Sequence, residues 1–128
     1  CQKINARFNH RLKLLTGLNA LQIKEVLSGC LFVVSSRYHG IISALSQNVP
    51  CLATSWSHKY GELYKEFELP DFVLDIRNPQ QNIKMIDELL EIAVNLQIRE
   101  HLNKKNTFFA NRTEEMWQKV FTEIENRA

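Results

Sequence analysis

One short stretch of the sequence combines the two side chains best suited to acid catalysis on an anion. In "SSRYHG", residues 35–40, Arg37 and His39 stand two positions apart and Gly40 follows at once. A guanidinium group offers a planar set of donors that matches a carboxylate or a phosphate, and imidazole is the commonest general acid. The stretch predicts an anion-binding site with a proton donor beside it. A plain ion pair of Arg37 with a carboxylate, with His39 capping a helix, explains the pattern equally well.

A second polar stretch follows about twenty residues later. "SWSHKYGE", residues 55–62, supplies Lys59 as a further cation and Trp56 as an aromatic ring that could stack on a sugar. His58 is interpreted as a surface residue. An aromatic residue at the end of a strand more often closes the core, so both interpretations of Trp56 stay open.

The segments around these stretches predict an α/β fold with a parallel sheet. Apolar, β-rich runs at residues 30–36, 50–55 and 71–75 read as strands, and helical patterns at 18–27, 40–48 and 61–69 alternate with them. Ligands of such sheets bind at the carboxyl ends of the strands, where both polar stretches lie. Strand alternation puts Arg37 and His39 on one side and Tyr38 on the other. A helix beginning at Gly40 would direct its first amides toward an anion.

The last third of the chain predicts two long amphipathic helices. They would pack on the sheet or on another domain, and Trp117 and Phe121 are expected in the core. Their apolar stripes consist of Ile83, Ile86, Leu89, Leu90, Ala93 and Leu96, then Leu102, Phe109, Met116, Val120 and Ile124. Residues 1–12, with four basic or histidine side chains, are interpreted as a solvated connector rather than a patch for an anionic polymer.

Composition sets the remaining bounds. The 128 residues suffice for one domain over 1–128, and 45% of them are hydrophobic, as in ordinary soluble proteins. A net charge of +2 gives no support for nucleic acid, and no apolar run reaches membrane-spanning length. Three cysteines without C-x-x-C spacing and four scattered histidines predict reduced thiols, a cytosolic setting and no metal site. No glycine-rich phosphate loop is present. Because the chain opens on Cys1, we expect a longer polypeptide.

Residues 35–67, "SSRYHGIISALSQNVPCLATSWSHKYGELYKEF", resemble the C-terminal half of the polysaccharide pyruvyl transferase family. The likeness consists of the R-x-H motif, an apolar helix containing the small Ala44, a turn before Pro50, a strand, and an aromatic residue three positions before a lysine. The family usually has glycine at Asn48 and more often tyrosine at Trp56.

The resemblance implies a pair of Rossmann-like domains of the glycosyltransferase-B type, of which this chain is the second. It further implies transfer of a pyruvyl group from phosphoenolpyruvate to a sugar of a bacterial cell-surface polysaccharide. Arg37 and Lys59 would hold the donor, His39 would protonate it, and Ser36, Gly40 and Trp56 would complete the binding site. No cofactor or metal is implied. The enzyme would be cytoplasmic, at or near the inner face of the membrane, and this domain alone would be inactive.

Two alternatives belong to other classes of function. The chain could be the donor-binding domain of a nucleotide-sugar glycosyltransferase, which needs an acidic residue for the ribose, and Glu62 is the one nearby candidate. It could also be a non-catalytic fragment that binds an anion or a partner protein.

Overall fold

The computed structural model describes residues 2–54 and 57–127. Six α-helices and two strands are defined within these ranges, together with a short 3₁₀ helix at Pro70–Phe72. In chain order they are α1 Gln2–Arg7, α2 Ala20–Ser28, β1 Val33–Ser35, α3 Tyr38–Leu45, β2 Cys51–Ala53, α4 His58–Glu66, α5 Pro79–Leu90 and α6 Ile92–Glu125. Residues 2–7, expected as part of a connector, are therefore helical, although most of them are exposed.

The sheet is smaller than the predicted one. β1 and β2 pair in parallel, with Val33 opposite Cys51 and Ser35 opposite Ala53. The third predicted strand, 71–75, is reduced among the described residues to one parallel bridge between Ala53 and Val73, beside a bond from Leu74 N to Ala53 O of 2.8 Å. Pro70 starts a 3₁₀ helix that includes residues 71 and 72, the first two of this segment. The mixed α/β class with parallel pairing is confirmed, whereas the full Rossmann-like sheet of a two-domain fold stays a prediction.

Helix α3 begins two residues earlier than expected. Arg37 has an extended backbone, with φ −105° and ψ 125°, and its carbonyl accepts the first helical bond from Ile41 N at 3.0 Å. Because β1 ends at Ser35, the strand alternation predicted for Arg37, Tyr38 and His39 is wrong. Tyr38 and His39 instead form the first turn of α3.

The core lies between α3, β2, α4 and the paired helices α5 and α6. Helix α3 is apolar on most sides, as predicted for a helix buried on more than one face, and β2 is completely buried. Helices α5 and α6 contribute Met85, Leu89 and Leu102. The cysteines described, Cys30 and Cys51, are free thiols.

Helix α6 extends well beyond this core. Its 34 residues span about 50 Å, and residues 110–127 are all exposed. The prediction that Trp117 and Phe121 pack in the core is wrong for this chain, since they are 48% and 57% exposed. The break between the last two helices also falls earlier than the apolar stripes suggested, at Glu91, so Ala93 and Leu96 belong to α6.

The first half of α6 binds carbonyl groups at the amino edge of the sheet. Asn106 Nδ2 donates to Leu45 O at 2.7 Å, at the end of α3, and His101 Nε2 lies 2.7 Å from Phe67 O, at the end of α4. Arg99 Nη2 donates to Cys30 O and Leu31 O just before β1. These bonds hold the C-terminal ends of α3 and α4 against α6. The carboxyl edge of the sheet, at the opposite ends of these helices, is left open for a site.

Candidate functional site

Both polar stretches singled out from the sequence follow strands that end side by side. Ser35 and Ala53, the last residues of β1 and β2, are directly paired, and Thr54 N donates to Ser35 O at 3.1 Å. Tyr60 Oη, in the first turn of α4, donates to Ser36 O at 3.0 Å. The start of α4 is therefore tied to the turn between β1 and α3.

The turn that carries Arg37 is held by Ser35. The Ser35 hydroxyl accepts from Arg37 N at 3.1 Å and donates to Arg37 O at 3.2 Å. A Cβ atom added at Gly40 would lie 2.8 Å from Ser35 Oγ, so any larger residue there would displace the Ser35 hydroxyl. Gly40 thus has a clear packing role, in addition to the predicted binding role of its backbone.

Arg37 and His39 lie exposed at the beginning of α3. The amides of Tyr38, His39 and Gly40 precede the first helical bond and so point out of the helix end, where the helix dipole is positive. Within residues 2–54 and 57–127, the Arg37 guanidinium forms no hydrogen bond or ion pair. The alternative of an Arg37–carboxylate pair therefore has no support from the described residues.

Lys59 lies over Tyr38 of the R-x-H turn, residues 35–40, and over Tyr60 of α4. Its Nζ is 5.2 Å from the ring centroid of Tyr38 and 5.5 Å from that of Tyr60, within cation–π distance. The two tyrosine rings meet edge to face at 5.7 Å, and the Tyr38 ring meets His39 at 6.2 Å. Tyr38 and Tyr60 therefore bring Lys59 to the R-x-H turn. Trp56, the predicted stacking residue, lies outside the described residues.

A groove of about 900 Å³ opens on the other side of α4. Its lining comes from the segment between β2 and α4, from α4, and from the 3₁₀ helix and the residues that follow it: Thr54, Ser57, His58, Gly61, Glu62, Lys65, Pro70, Val73, Leu74, Asp75, Ile76, Arg77 and Asn82. Arg37, His39 and Lys59 are not among these residues. Sequence reasoning missed the groove because it started α4 at Gly61, which hid the helical spacing of residues 58, 61, 62 and 65.

Carboxylates on both walls of the groove are paired with cations. Glu62 Oε1 accepts from Lys65 Nζ at 2.8 Å and lies 3.5 Å from His58 Nε2. The Lys65 hydrogen bond lowers the pKa of Glu62, and the hydrogen bonds from Arg77 lower the pKa of Asp75. Both carboxylates are therefore ionised hydrogen-bond acceptors at neutral pH.

One family model matches the part of the chain that carries the R-x-H motif. The family model for polysaccharide pyruvyl transferase matches residues 2–58. The chain is similar to polysaccharide pyruvyl transferases. The resemblance predicted from the sequence is confirmed over these residues, which include Ser36, Arg37, His39 and Gly40, while Lys59 lies one residue beyond the match. The pyruvyl transferases are a family of transferases, so an enzymatic role is consistent with the match.

One curated relative is of another kind. A probable ATP-dependent DNA helicase of Arabidopsis thaliana is 30% identical over 112 residues, which cover 87% of this chain and 10% of the helicase. The chain thus spans about a tenth of the length of that relative. No solved structure matches the chain.

Residues 2–54 and 57–127 contain no group of three or more histidine, cysteine, aspartate or glutamate side chains placed to hold a metal ion. Among the helices in these ranges, none is both long and apolar enough to cross a membrane.

Proposed function

We propose that this chain forms the donor-binding part of an enzyme that transfers a pyruvyl group from phosphoenolpyruvate to a sugar of a cell-surface polysaccharide. One observation carries the proposal: Lys59 lies against Tyr38, a residue of the R-x-H turn. Arg37 of the same turn forms no ion pair among the described residues. The site therefore combines Arg37 and Lys59 at an open sheet edge, and Arg37 lies within the residues that are similar to pyruvyl transferases.

Phosphoenolpyruvate matches these groups in charge and shape. It carries a planar carboxylate, which suits the forked donors of Arg37, and a phosphate, which suits a compact ammonium such as Lys59. The outward amides at the start of α3 add donors for either anion. In our scheme Arg37 holds the donor carboxylate, Lys59 stabilises the departing phosphate, and Ser36, Gly40 and Trp56 complete the pocket.

His39 supplies the proton in this scheme. Protonated imidazole gives its proton to the methylene carbon of phosphoenolpyruvate, so the adjacent carbon becomes electrophilic. One sugar hydroxyl then attacks that carbon. A second hydroxyl attacks as the bond to the phosphate oxygen breaks, and the product is a ketal with free phosphate. Of the two hydroxyl protons released, one restores the imidazolium and the other leaves with phosphate, so the reaction balances without a cofactor.

A further domain belongs to the same proposal. By its resemblance to a two-domain family, this chain would be the C-terminal domain, and a first Rossmann-like domain would face the R-x-H turn. The chain alone would bind the donor without turning it over. We propose a cytoplasmic enzyme that works close to the membrane carrying its polysaccharide acceptor.

Glu62 favours one second candidate. A nucleotide-sugar glycosyltransferase needs an acidic residue for the ribose, and Glu62 lines a groove large enough for a nucleoside. The similarity to a DNA helicase gives less support to a helicase function, because the match covers only 10% of that protein and this sequence contains no G-x-x-x-x-G-K-[ST] loop for ATP.

Donor binding tests the proposal directly. We expect phosphoenolpyruvate, titrated into the chain and followed by NMR, to shift the amides of residues 35–41. Arg37→Ala should weaken binding about tenfold or more, because a charge-assisted hydrogen bond contributes ~1.5–3 kcal/mol. Arg127→Ala, which removes an exposed cation just beyond the end of α6, should leave binding unchanged.

Turnover tests the role of His39. In the two-domain enzyme, His39→Gln should bind phosphoenolpyruvate within about twofold of the parent yet lose phosphate release by at least a hundredfold, the usual contribution of a general acid. Near-normal phosphate release by both Arg37→Ala and His39→Gln would show that the roles given to Arg37 and His39 are wrong. Uridine diphosphate binding more tightly than phosphoenolpyruvate would favour the glycosyltransferase alternative.

A further inference from the structure

The groove beside α4 has the dimensions of a ligand site but lies apart from the R-x-H turn. Its volume of about 900 Å³ falls within the range of small-molecule pockets. Helix α4 separates the two sites: Lys59 lies toward Tyr38, whereas Gly61, Glu62 and Lys65 line the groove. Thr54, whose amide is bonded to Ser35 at the end of β1, also lines it. The groove thus reaches the same sheet edge as the proposed donor site.

The α4 wall leaves an opening at its centre. His58, Gly61, Glu62 and Lys65 follow the spacing i, i+3, i+4, i+7 and so share one helix face. A Cβ atom built at Gly61 would meet no atom within 4 Å. The missing side chain at Gly61 therefore leaves free volume between two flanking polar residues, which a ligand could occupy.

The opposite wall is preformed. Leu74 N donates to Ala53 O at 2.8 Å, which ties this wall to the sheet. Asn82 Oδ1 accepts from Asp75 N at 3.2 Å, and Asn82 Nδ2 donates to Asp75 O at 2.9 Å. Asp75 in turn accepts from two Arg77 nitrogens at 3.0 Å. Asn82 is thus a positioning residue for the Asp75 backbone, and the paired side chains of Asp75 and Arg77 present an acceptor and a donor on this wall.

The lining has balanced charges over an apolar floor. Glu62 and Asp75 are opposed by Lys65 and Arg77, so the wall has no excess of either sign when His58 is neutral. A nucleoside diphosphate requires a positive excess, whereas an uncharged sugar requires interspersed donors and acceptors. Pro70, Val73, Leu74 and Ile76 supply apolar surface for the C–H face of a sugar ring, and Ile76 is 92% exposed.

We infer that this groove binds an uncharged saccharide, with Glu62 and Asp75 accepting hydrogen bonds from its hydroxyl groups. The identification of that saccharide as the acceptor rests on the proposed function, since it places the sugar beside the pyruvyl donor on the shared helix α4. A saccharide site in the groove is testable without any turnover.

Filling the groove tests the inference. Lactose, maltose and N,N′-diacetylchitobiose, each titrated separately into the chain, are the probes, with NMR as the readout. We expect at least one disaccharide to shift the amides of residues 58–65 and 73–77. Gly61→Leu should reduce that binding at least tenfold. Its melting temperature should be equal or higher, because leucine favours a helix over glycine. Ala110→Leu, the same kind of addition on an exposed part of α6, should leave sugar binding unchanged.

A second pair of variants tests the polar contacts. Glu62→Gln keeps the shape but removes the charge, and we expect at least a fivefold loss of disaccharide binding. Glu100→Gln is the matched control, because Glu100 forms an equivalent 2.8 Å ion pair with Lys104 on α6, away from the groove.

The outcomes separate this inference from the proposed function. Disaccharides that leave the groove amides unshifted overturn the inference, even if phosphoenolpyruvate binds at Arg37. Uridine diphosphate that shifts the groove in place of sugars overturns it as well. Sugar binding in the groove without phosphoenolpyruvate binding at Arg37 supports the saccharide site and contradicts the proposed transfer.

Discussion

Two buried ionisable side chains lie beneath the candidate site. Cys51, the first residue of β2, is fully buried, and burial raises the pKa of its thiol to about 11 from 9.0. Tyr64 is also fully buried and donates to Cys51 O at 2.5 Å. Burial raises the pKa of Tyr64 as well. Both side chains therefore stay neutral in the fold at pH values at which the unfolded chain ionises.

This difference predicts a loss of stability in alkali. Between pH 9 and about 11 the folded chain keeps the Cys51 proton while the unfolded chain releases it. Over that window the free energy of unfolding should fall by up to ~1.4 kcal/mol per pH unit from Cys51, and the contribution is complete below pH 9. Urea unfolding of Cys51→Ala should show a shallower pH slope than the parent, with Cys30→Ala as control. Equal slopes for the parent and Cys51→Ala would contradict the burial argument.

At the scale of elements, α6 is bonded to the ends of α3 and α4. Asn48 has a positive φ of 59°, a conformation in which asparagine is tolerated and glycine is common. This accounts for the asparagine where the pyruvyl transferases usually have glycine. Its side chain also accepts from Asn106 Nδ2 at 2.7 Å and donates to Asn103 Oδ1 at 3.1 Å. Asparagine in place of glycine at position 48 therefore gives the turn after α3 additional hydrogen bonds to α6.

Removing that connection should destabilise the fold. Asn106→Ala leaves Leu45 O and Asn48 Oδ1 without their shared donor, and we expect a loss of ~1–3 kcal/mol in the free energy of unfolding. Asn111→Ala, at an exposed position on the same helix, should be neutral or slightly stabilising because alanine favours helix. Chemical denaturation of both variants measures the difference. Equal stabilities would mean that the Asn106 bonds do not hold α6 to α3.

At the scale of the whole molecule, the fold and the last half of α6 are separable. Residues 110–127 are exposed throughout, and they carry an apolar face made of Met116, Trp117, Val120, Phe121 and Ile124. Leu102, in contrast, is fully buried within the first half of the helix. The chain therefore uses about half of α6 for its own core.

Truncation separates the two halves. Deletion of residues 112–128 should change the free energy of unfolding by less than about 1 kcal/mol, as expected for surface changes. Deletion from residue 101 onward should abolish cooperative unfolding, because it removes Leu102 and the Asn106 bonds. Circular dichroism during urea titration distinguishes these results. A large loss of stability in the shorter deletion would show that the apolar face contributes to the fold.

Predictions from the sequence succeeded where the pattern was local. The spacing over residues 18–27 predicted α2, observed at Ala20–Ser28, and the runs at 30–36 and 50–55 contain the two strands. The third strand failed because Pro70 imposes a 3₁₀ helix before the chain reaches the sheet. The predicted core position of Trp117 failed because an amphipathic stripe shows that a helix has an apolar face, not that a partner covers it.

By itself, the sequence determined the chemical groups and their family likeness: Arg37, His39 and Lys59, carried on a chain whose residues 2–58 are similar to pyruvyl transferases. Only the tertiary structure decided how these groups meet. The pairing of β1 with β2 and the Tyr60–Ser36 bond bring residues twenty positions apart to one turn. The groove beside α4 likewise depends on the bridge from Ala53 to Val73. Residue type and short spacing are local properties, whereas a site is built from contacts between strands, and those contacts are set by the packing of the whole core.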